Sequence, residues 1–350
     1  MSTELVSPDT VPANILFVAV VPALHPFAGP VLLATAADRS LRIHLAQPPF
    51  GLLRTFAAPS DAAILCVAVA ADRWLLLSTM TGRLALLDPA TGDVVATVRP
   101  HEKYATRVVY SAPFVVSSAY DRTIVLHTLR APPDLGAASP ASPSFGECIG
   151  RLILSTPPEA LAVVTLPSTG ARAVVFSLRE SMALHYHLLA PSLPHHATRS
   201  LAGASGAWQG YAHPMAVAVN PCDPARLAVV TSSVPHMKLF IVPVDSDADA
   251  DADAEHAGRK EVFTGAPQSV YSTATVAWRP DATGVWVNAD EGVVRGVEVK
   301  RGCVAARLTA CTHGQKVRTL WAGSVDGVGE LLVTGGFDKA LRVWTVARAD

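Results

Sequence analysis

The sequence predicts an all-β fold, a seven-bladed β-propeller of four-stranded antiparallel blades, on three observations. A strand–turn–strand unit recurs along the whole chain, and its turns fall at a regular beat. The last unit is one strand short, and a stretch assigned to no unit stands at the other end of the chain.

The unit is clearest in three ungapped copies. Val31-Leu32-Leu33-Ala34-Thr35-Ala36 leads into Ala37-Asp38-Arg39-Ser40-Leu41-Arg42-Ile43-His44. Phe114-Val115-Val116-Ser117-Ser118-Ala119 leads into Tyr120-Asp121-Arg122-Thr123-Ile124-Val125-Leu126-His127. Leu331-Leu332-Val333-Thr334-Gly335-Gly336 leads into Phe337-Asp338-Lys339-Ala340-Leu341-Arg342-Val343-Trp344. Each is an apolar strand ending in small residues, a tight turn holding Asp and a basic residue, and a second strand with alternating apolar positions. Weaker copies place further turns near residues 81, 179, 234 and 290, giving seven turns roughly 40 to 58 residues apart. The last unit supplies strands at about residues 316–321, 330–335 and 340–346, so its fourth must come from elsewhere. Residues 3–7 are expected to supply it, which closes the ring and removes a free edge.

One propeller then takes up all of residues 1–350 as a single domain. A 50% hydrophobic and 16% charged composition supports the large core this requires. Low-complexity insertions are expected at 131–147, rich in Pro, Ala and Ser, and at 245–260, which alternates Asp with Ala or Ser. A third, 189–213, carries Trp208 and Tyr211 in a glycine-rich setting.

Composition also bounds function. With 28 basic and 29 acidic side chains, no global field draws the chain to nucleic acid or anionic lipid. No apolar run reaches the ~20 residues that span a bilayer, so no membrane role is expected. The segment before Ile15 carries Glu4 and Asp9 but no Lys or Arg, unlike a secretory signal. Cys66, Cys148, Cys222, Cys303 and Cys311 are odd in number and scattered, which fits buried reduced thiols in a cytoplasmic or nuclear protein.

Catalytic and metal motifs fail on their spacing. Asp245, Asp247 and Asp249 alternate like a calcium loop, but Ala250 and His256 stand where Gly and Glu are needed. His185, His187, His195 and His196 lack an evident further ligand, so ordinary strand and loop histidines are expected. No phosphate loop, dinucleotide fingerprint or nucleophile elbow occurs. The expectation is a protein that is not an enzyme and has no cofactor or metal.

The last unit resembles a WD repeat. His313-Gly314 is similar to a reversed Gly-His pair, and Asp338 and Trp344 stand at the turn-Asp and strand-Trp positions. The resemblance implies that His313, Asp338 and Trp344 form a buried hydrogen-bonded set, with Asp38 and Asp121 in the same structural role. It also departs from the family pattern: Thr345 replaces the final Asp, and His44 and His127 stand where Trp is expected. Such propellers hold partners on the face carrying these turns.

Arg39, Arg122 and Lys339 therefore have two readings, solvated charges beside the turn Asp or contacts on a binding face. Tyr120, Phe337, Trp208 and Tyr211 join them as partner-binding candidates. The expected function is a non-catalytic scaffold or adaptor subunit, monomeric within a larger complex, that holds a protein or peptide. Two alternatives stay open: a substrate receptor of a cullin–RING ubiquitin ligase, and a subunit of an RNA- or chromatin-associated complex that need not touch nucleic acid directly. For the first, His127-Thr128-Leu129-Arg130 keeps only the Arg of a Trp-Asp-x-Arg ending.

Overall fold

The computed structural model describes residues 3–59, 62–130, 143–202, 212–245, 259–269, 271–309 and 315–346, with side chains from residue 11 onward. Its strands form seven four-stranded antiparallel sheets arranged as a closed propeller. Blades one to six are simple meanders over residues 15–57, 64–98, 105–153, 158–200, 212–267 and 276–308. Blade seven takes three strands from residues 317–346, and Thr3–Thr10 adds its outermost one. The closing register pairs Leu5 with Trp344 and Thr10 with Ala340, interrupted by a bulge between Val6 and Asp9. The first strand thus joins the last blade as the sequence predicts, and it runs three residues longer than expected.

Position within a blade dictates each strand's composition. Second strands pack between two neighbouring blades, and Val31–Ala36 and Trp74–Thr79 are buried at every position. That double-sided burial explains why they read as continuous apolar runs. Outermost strands such as Leu52–Ala57 and His195–Ser200 are mostly exposed and carry little apolar signal. Among the described residues the core divides into seven apolar clusters, each at one interface between adjacent blades. The cluster joining blades seven and one sets Leu331, Val333 and Leu341 against Ile15 and Val18. Gly335 is required there, because a Cβ would lie 2.5 Å from Ile15.

Several boundaries differ from the sequence reading. The insertion placed at 131–147 ends earlier, since the outermost strand of blade three starts at Ser144. Within the one placed at 245–260, Asp245 and Arg259 onward are described, and a strand begins at Lys260. Asp245 is no solvated loop charge: its carboxylate accepts from Arg199 at 3.0 Å and from the Ser168 hydroxyl. The remaining acidic residues of that run lie outside the described residues. The stretch 189–213 is not one insertion, because His195–Ser200 forms the outermost strand of blade four within it. His185, His187 and His195 sit around Phe176 and Thr198, and no metal-holding cluster occurs among the described residues. Of the described cysteines only Cys66 is buried; Cys148, Cys222 and Cys303 are exposed, the first and last on outermost strands.

Candidate interaction face

Antiparallel order puts the turn between second and third strands at the same end as the connection from one blade to the next. Amide bonds confirm the proximity: Tyr120 donates to the Tyr104 carbonyl at 2.9 Å, and Phe337 to that of Lys316 at 3.1 Å. These turns and connections make up one face of the disc.

The turn itself is built by backbone demands. Arg39, Arg122 and Lys339 all adopt left-handed φ, at 70°, 66° and 63°. Gly82 and Gly292 hold the same position in blades two and six, at 77° and 80°. The turn of blade four is one residue longer, and its left-handed residue, Glu180 at 67°, precedes Met182, whose carbonyl takes the equivalent bond from Leu201. The carbonyls of Arg39, Arg122 and Lys339 accept from Ala58, Leu154 and Val11, tying each turn to the chain beyond its outermost strand. In blade seven that donor follows the N-terminal strand, so the turn bond also serves closure. The preceding Asp side chains fold back as acceptors. Asp38 takes the Ser40 amide and hydroxyl at 3.0 and 2.6 Å. Asp121 takes those of Thr123 at 3.1 and 2.7 Å. Asp338 takes the Ala340 amide at 3.3 Å and pairs with Arg342.

Blade three extends this into a polar brace that the sequence reading missed. His101, in the connection from blade two, lies 2.8 Å from both Ser117 and Thr123 and 3.4 Å from Asp121. Because the Thr123 hydroxyl donates to Asp121, it must accept from His101 Nδ1–H, and Nε2 then accepts from Ser117. Burial pushes the His101 pKa down to about 4 despite the Asp121 carboxylate, consistent with this neutral tautomer. The order Ser–His–Asp matches that of a hydrolase triad, yet Ser117 is fully buried and no substrate carbonyl can reach it. In blade seven the Trp344 indole donates to Thr334 at 3.4 Å, while His313 lies outside the described residues. His44 and His127 occupy the Trp position of their blades and are buried.

Apolar side chains gather around this face. Met80, Tyr104, Tyr120, Val234, Tyr271 and Phe337 are all exposed there, Tyr271 to 88%. Tyr104 and Tyr120 stand 6.2 Å apart, and the Arg179 guanidinium lies over Tyr120 at 5.1 Å. Arg39, Arg122 and Lys339 are exposed on the same face but lie outside the channel lining, which of the partner-binding candidates includes Tyr120. Trp208 and Tyr211 lie outside the described residues; the strands flanking them end at Ser200 and begin at Ala212 on this face.

At the centre, the innermost strands open into a cavity of about 430 Å³. A recurring β-bulge shapes it. The register slips once near the start of the innermost strand in blades one to five and seven. The slip turns Leu16, Leu65, Thr106, Glu159, Met215 and Arg318 into the mouth. Arg107 lines both this cavity and a second one, of about 210 Å³, farther along the channel. The charges are unbalanced: the lining holds Arg107, Arg179 and Arg318 against the single carboxylate of Glu159. Glu159 is engaged by Arg179 at 2.5 and 2.7 Å, and burial nevertheless pushes its carboxyl pKa upward. Burial, and then Arg107, pull the Arg318 pKa down. His213 adds no charge at neutral pH, since burial and Arg179 hold its pKa at about 4.

These features define a closed seven-bladed propeller with an aromatic-rimmed face and a cationic channel mouth. A protein-family model for a beta-propeller domain matches residues 208–345, which covers the last three blades. No curated protein matches the chain.

Proposed function

We propose that this protein is a non-catalytic interaction scaffold of the WD-repeat type, holding a protein or peptide partner on the face that carries its turns. The observation that carries this reading is the collection of exposed Tyr104, Tyr120, Tyr271, Phe337, Met80 and Val234 around one rim. Contiguous exposed apolar groups on a soluble fold mark contact surfaces, and tyrosine offers large contact area at low ordering cost. The left-handed turn position adds support. Glycine adopts that backbone without strain, as in blades two and six, yet blades one, three and seven place exposed basic side chains there. The brace of His101, Ser117, Thr123 and Asp121, together with the Trp344–Thr334 bond, supports the WD-repeat kinship. Exposed thiols without a disulfide among the described residues fit a reducing compartment, cytoplasmic or nuclear.

The test is affinity purification from native extract, comparing wild type with Tyr104→Ala/Tyr271→Ala/Phe337→Ala and with Trp208→Ala/Tyr211→Ala. The first variant loses the co-purifying chains while its melting temperature stays near wild type. Retention of every co-purifying chain by both variants overturns the reading.

A further inference from the structure

The channel mouth concentrates positive charge that the fold itself does not neutralise. Arg107 comes from blade three and Arg318 from blade seven, on opposite sides of the ring. Neither has a hydrogen-bond or ion-pair partner among the described residues, whereas Arg179 beside them is fully engaged by Glu159. A guanidinium keeps its proton, so both residues carry their charge into the cavity. Both side chains are half-buried in the cavity wall and meet no protein acceptor among the described residues, so an apolar side chain of similar size would suit an isolated propeller as well. The bulge between Val317 and Thr319 is the device that turns Arg318 inward, and its counterparts in blades one, two and five present Leu16, Leu65 and Met215. The same backbone feature therefore accepts apolar residues, and the arginine serves a ligand rather than the fold.

We propose that the channel mouth is an oxyanion receptor, in which Arg318 and Arg107 together receive one carboxylate or phosphate group entering from the turn-bearing face. The planar fork of each guanidinium matches both groups, and a cavity of about 430 Å³ admits an acidic side chain or a small free anion. Tyr120 stands at the rim of the same cavity. This deepens the scaffold reading by naming what the centre of its face recognises, and it rests on that reading only for the direction of entry.

The experiment titrates inorganic phosphate and, separately, succinate into the full chain at constant ionic strength, with chloride as the reference. Isothermal calorimetry and thermal unfolding supply the readouts. Wild type gains saturable, one-site stabilisation from at least one of the two anions, and which one it prefers identifies the source of the group. Arg318→Met weakens that binding about tenfold or more, the loss expected for one charge-assisted pair. Arg318→Lys keeps the charge but loses the planar fork, so it binds more weakly than wild type and more tightly than Arg318→Met. In chloride alone Arg318→Met melts no lower than wild type, which a purely structural arginine would not allow. Absence of saturable binding by either anion, unchanged binding in Arg318→Met, or a lower melting temperature of that variant in chloride overturns the proposal. Because no partner is present in these titrations, their failure leaves the face reading standing, and failure of the capture experiment leaves the anion site standing.

Discussion

Blades three and six solve the same problem with different chemistry. Each must hold a carboxylate-bearing turn on the same face. In blade three every member of the brace comes from residues 101–123, so the solution is local to one blade. In blade six the Asp290 carboxylate takes the Ser272 hydroxyl at 2.6 Å, the Ser269 amide at 3.1 Å and the Lys316 ammonium at 2.9 Å. Lys316 belongs to the connection into blade seven, and Asn288 donates to the Val317 carbonyl of blade seven at 2.7 Å. The fold requires that the turn acceptors be satisfied and leaves the donors open. Blade three gains a self-contained turn, whereas blade six gains a tie to its neighbour.

The largest expected effect tests whether either solution matters without the ring. Deleting residues 1–10 removes the outermost strand of blade seven and exposes an edge. A loss above about 4 kcal/mol is expected, since closure rather than a single contact is lost. Hydrogen exchange should show the turns of blades three and six losing protection together. If blade three stayed protected while six and seven frayed, the local brace would outweigh closure and the ring would not unfold as one unit.

The next effect separates the two blades by pH. His101 in the folded chain has a pKa of about 4, below the ordinary histidine value of 6.5. Between these values the unfolded chain binds a proton that the folded one refuses, so stability falls as pH drops from about 6.5 to 4. The drop approaches about 3 kcal/mol, and buried His213, also at about 4, contributes another of the same sign. Asp290 behaves differently. Burial alone would raise its pKa, but Ser272, Lys316 and Ser269 hold it below 3.8, so its contribution is lost only under more acid conditions. His101→Ala should cost about 2–3 kcal/mol at pH 7, by leaving buried Ser117 without its acceptor, and should flatten the slope between pH 6.5 and 4. Asp290→Asn should cost about 1–2 kcal/mol and leave that slope intact. Denaturant titrations across pH check both, and a wild-type slope unchanged by His101→Ala would show that the ring is not a neutral member of the brace.

This contrast also explains what the sequence could disclose. The turns at Asp38, Asp121 and Asp338 were legible because Asp and the residue two positions on bond locally, leaving a short pattern that repeats. The second strands were legible because burial on both faces makes them uniformly apolar. His101 was not, since it follows Pro100 without the expected glycine and meets Asp121 only across twenty residues of chain. Its signal was a solitary histidine in the connection before Ala105. Blade six was harder still, because Ser269, Asp290 and Lys316 converge through an interface that no single-blade pattern spans. The channel arginines were hidden for another reason: a bulge adds one residue to an alternating strand, so Arg318 reads as an ordinary outward position until the register slip is known.

The smallest expected effect asks whether blade six depends on charge or only on satisfied acceptors. Lys316 is about one-third exposed, at 35%, and its ion pair with Asp290 is screened by solvent, so Lys316→Met should cost no more than about 1 kcal/mol. The Ser272 hydroxyl and the Ser269 amide still satisfy the carboxylate in that variant. A double-mutant cycle with Asp290→Asn should give a coupling of a few tenths to about 1 kcal/mol that shrinks in high salt. A cost equal to that of His101→Ala, insensitive to salt, would mean that the tie between blades six and seven holds the turn as firmly as the brace in blade three. The distinction between a local and a borrowed solution would then carry no energetic weight.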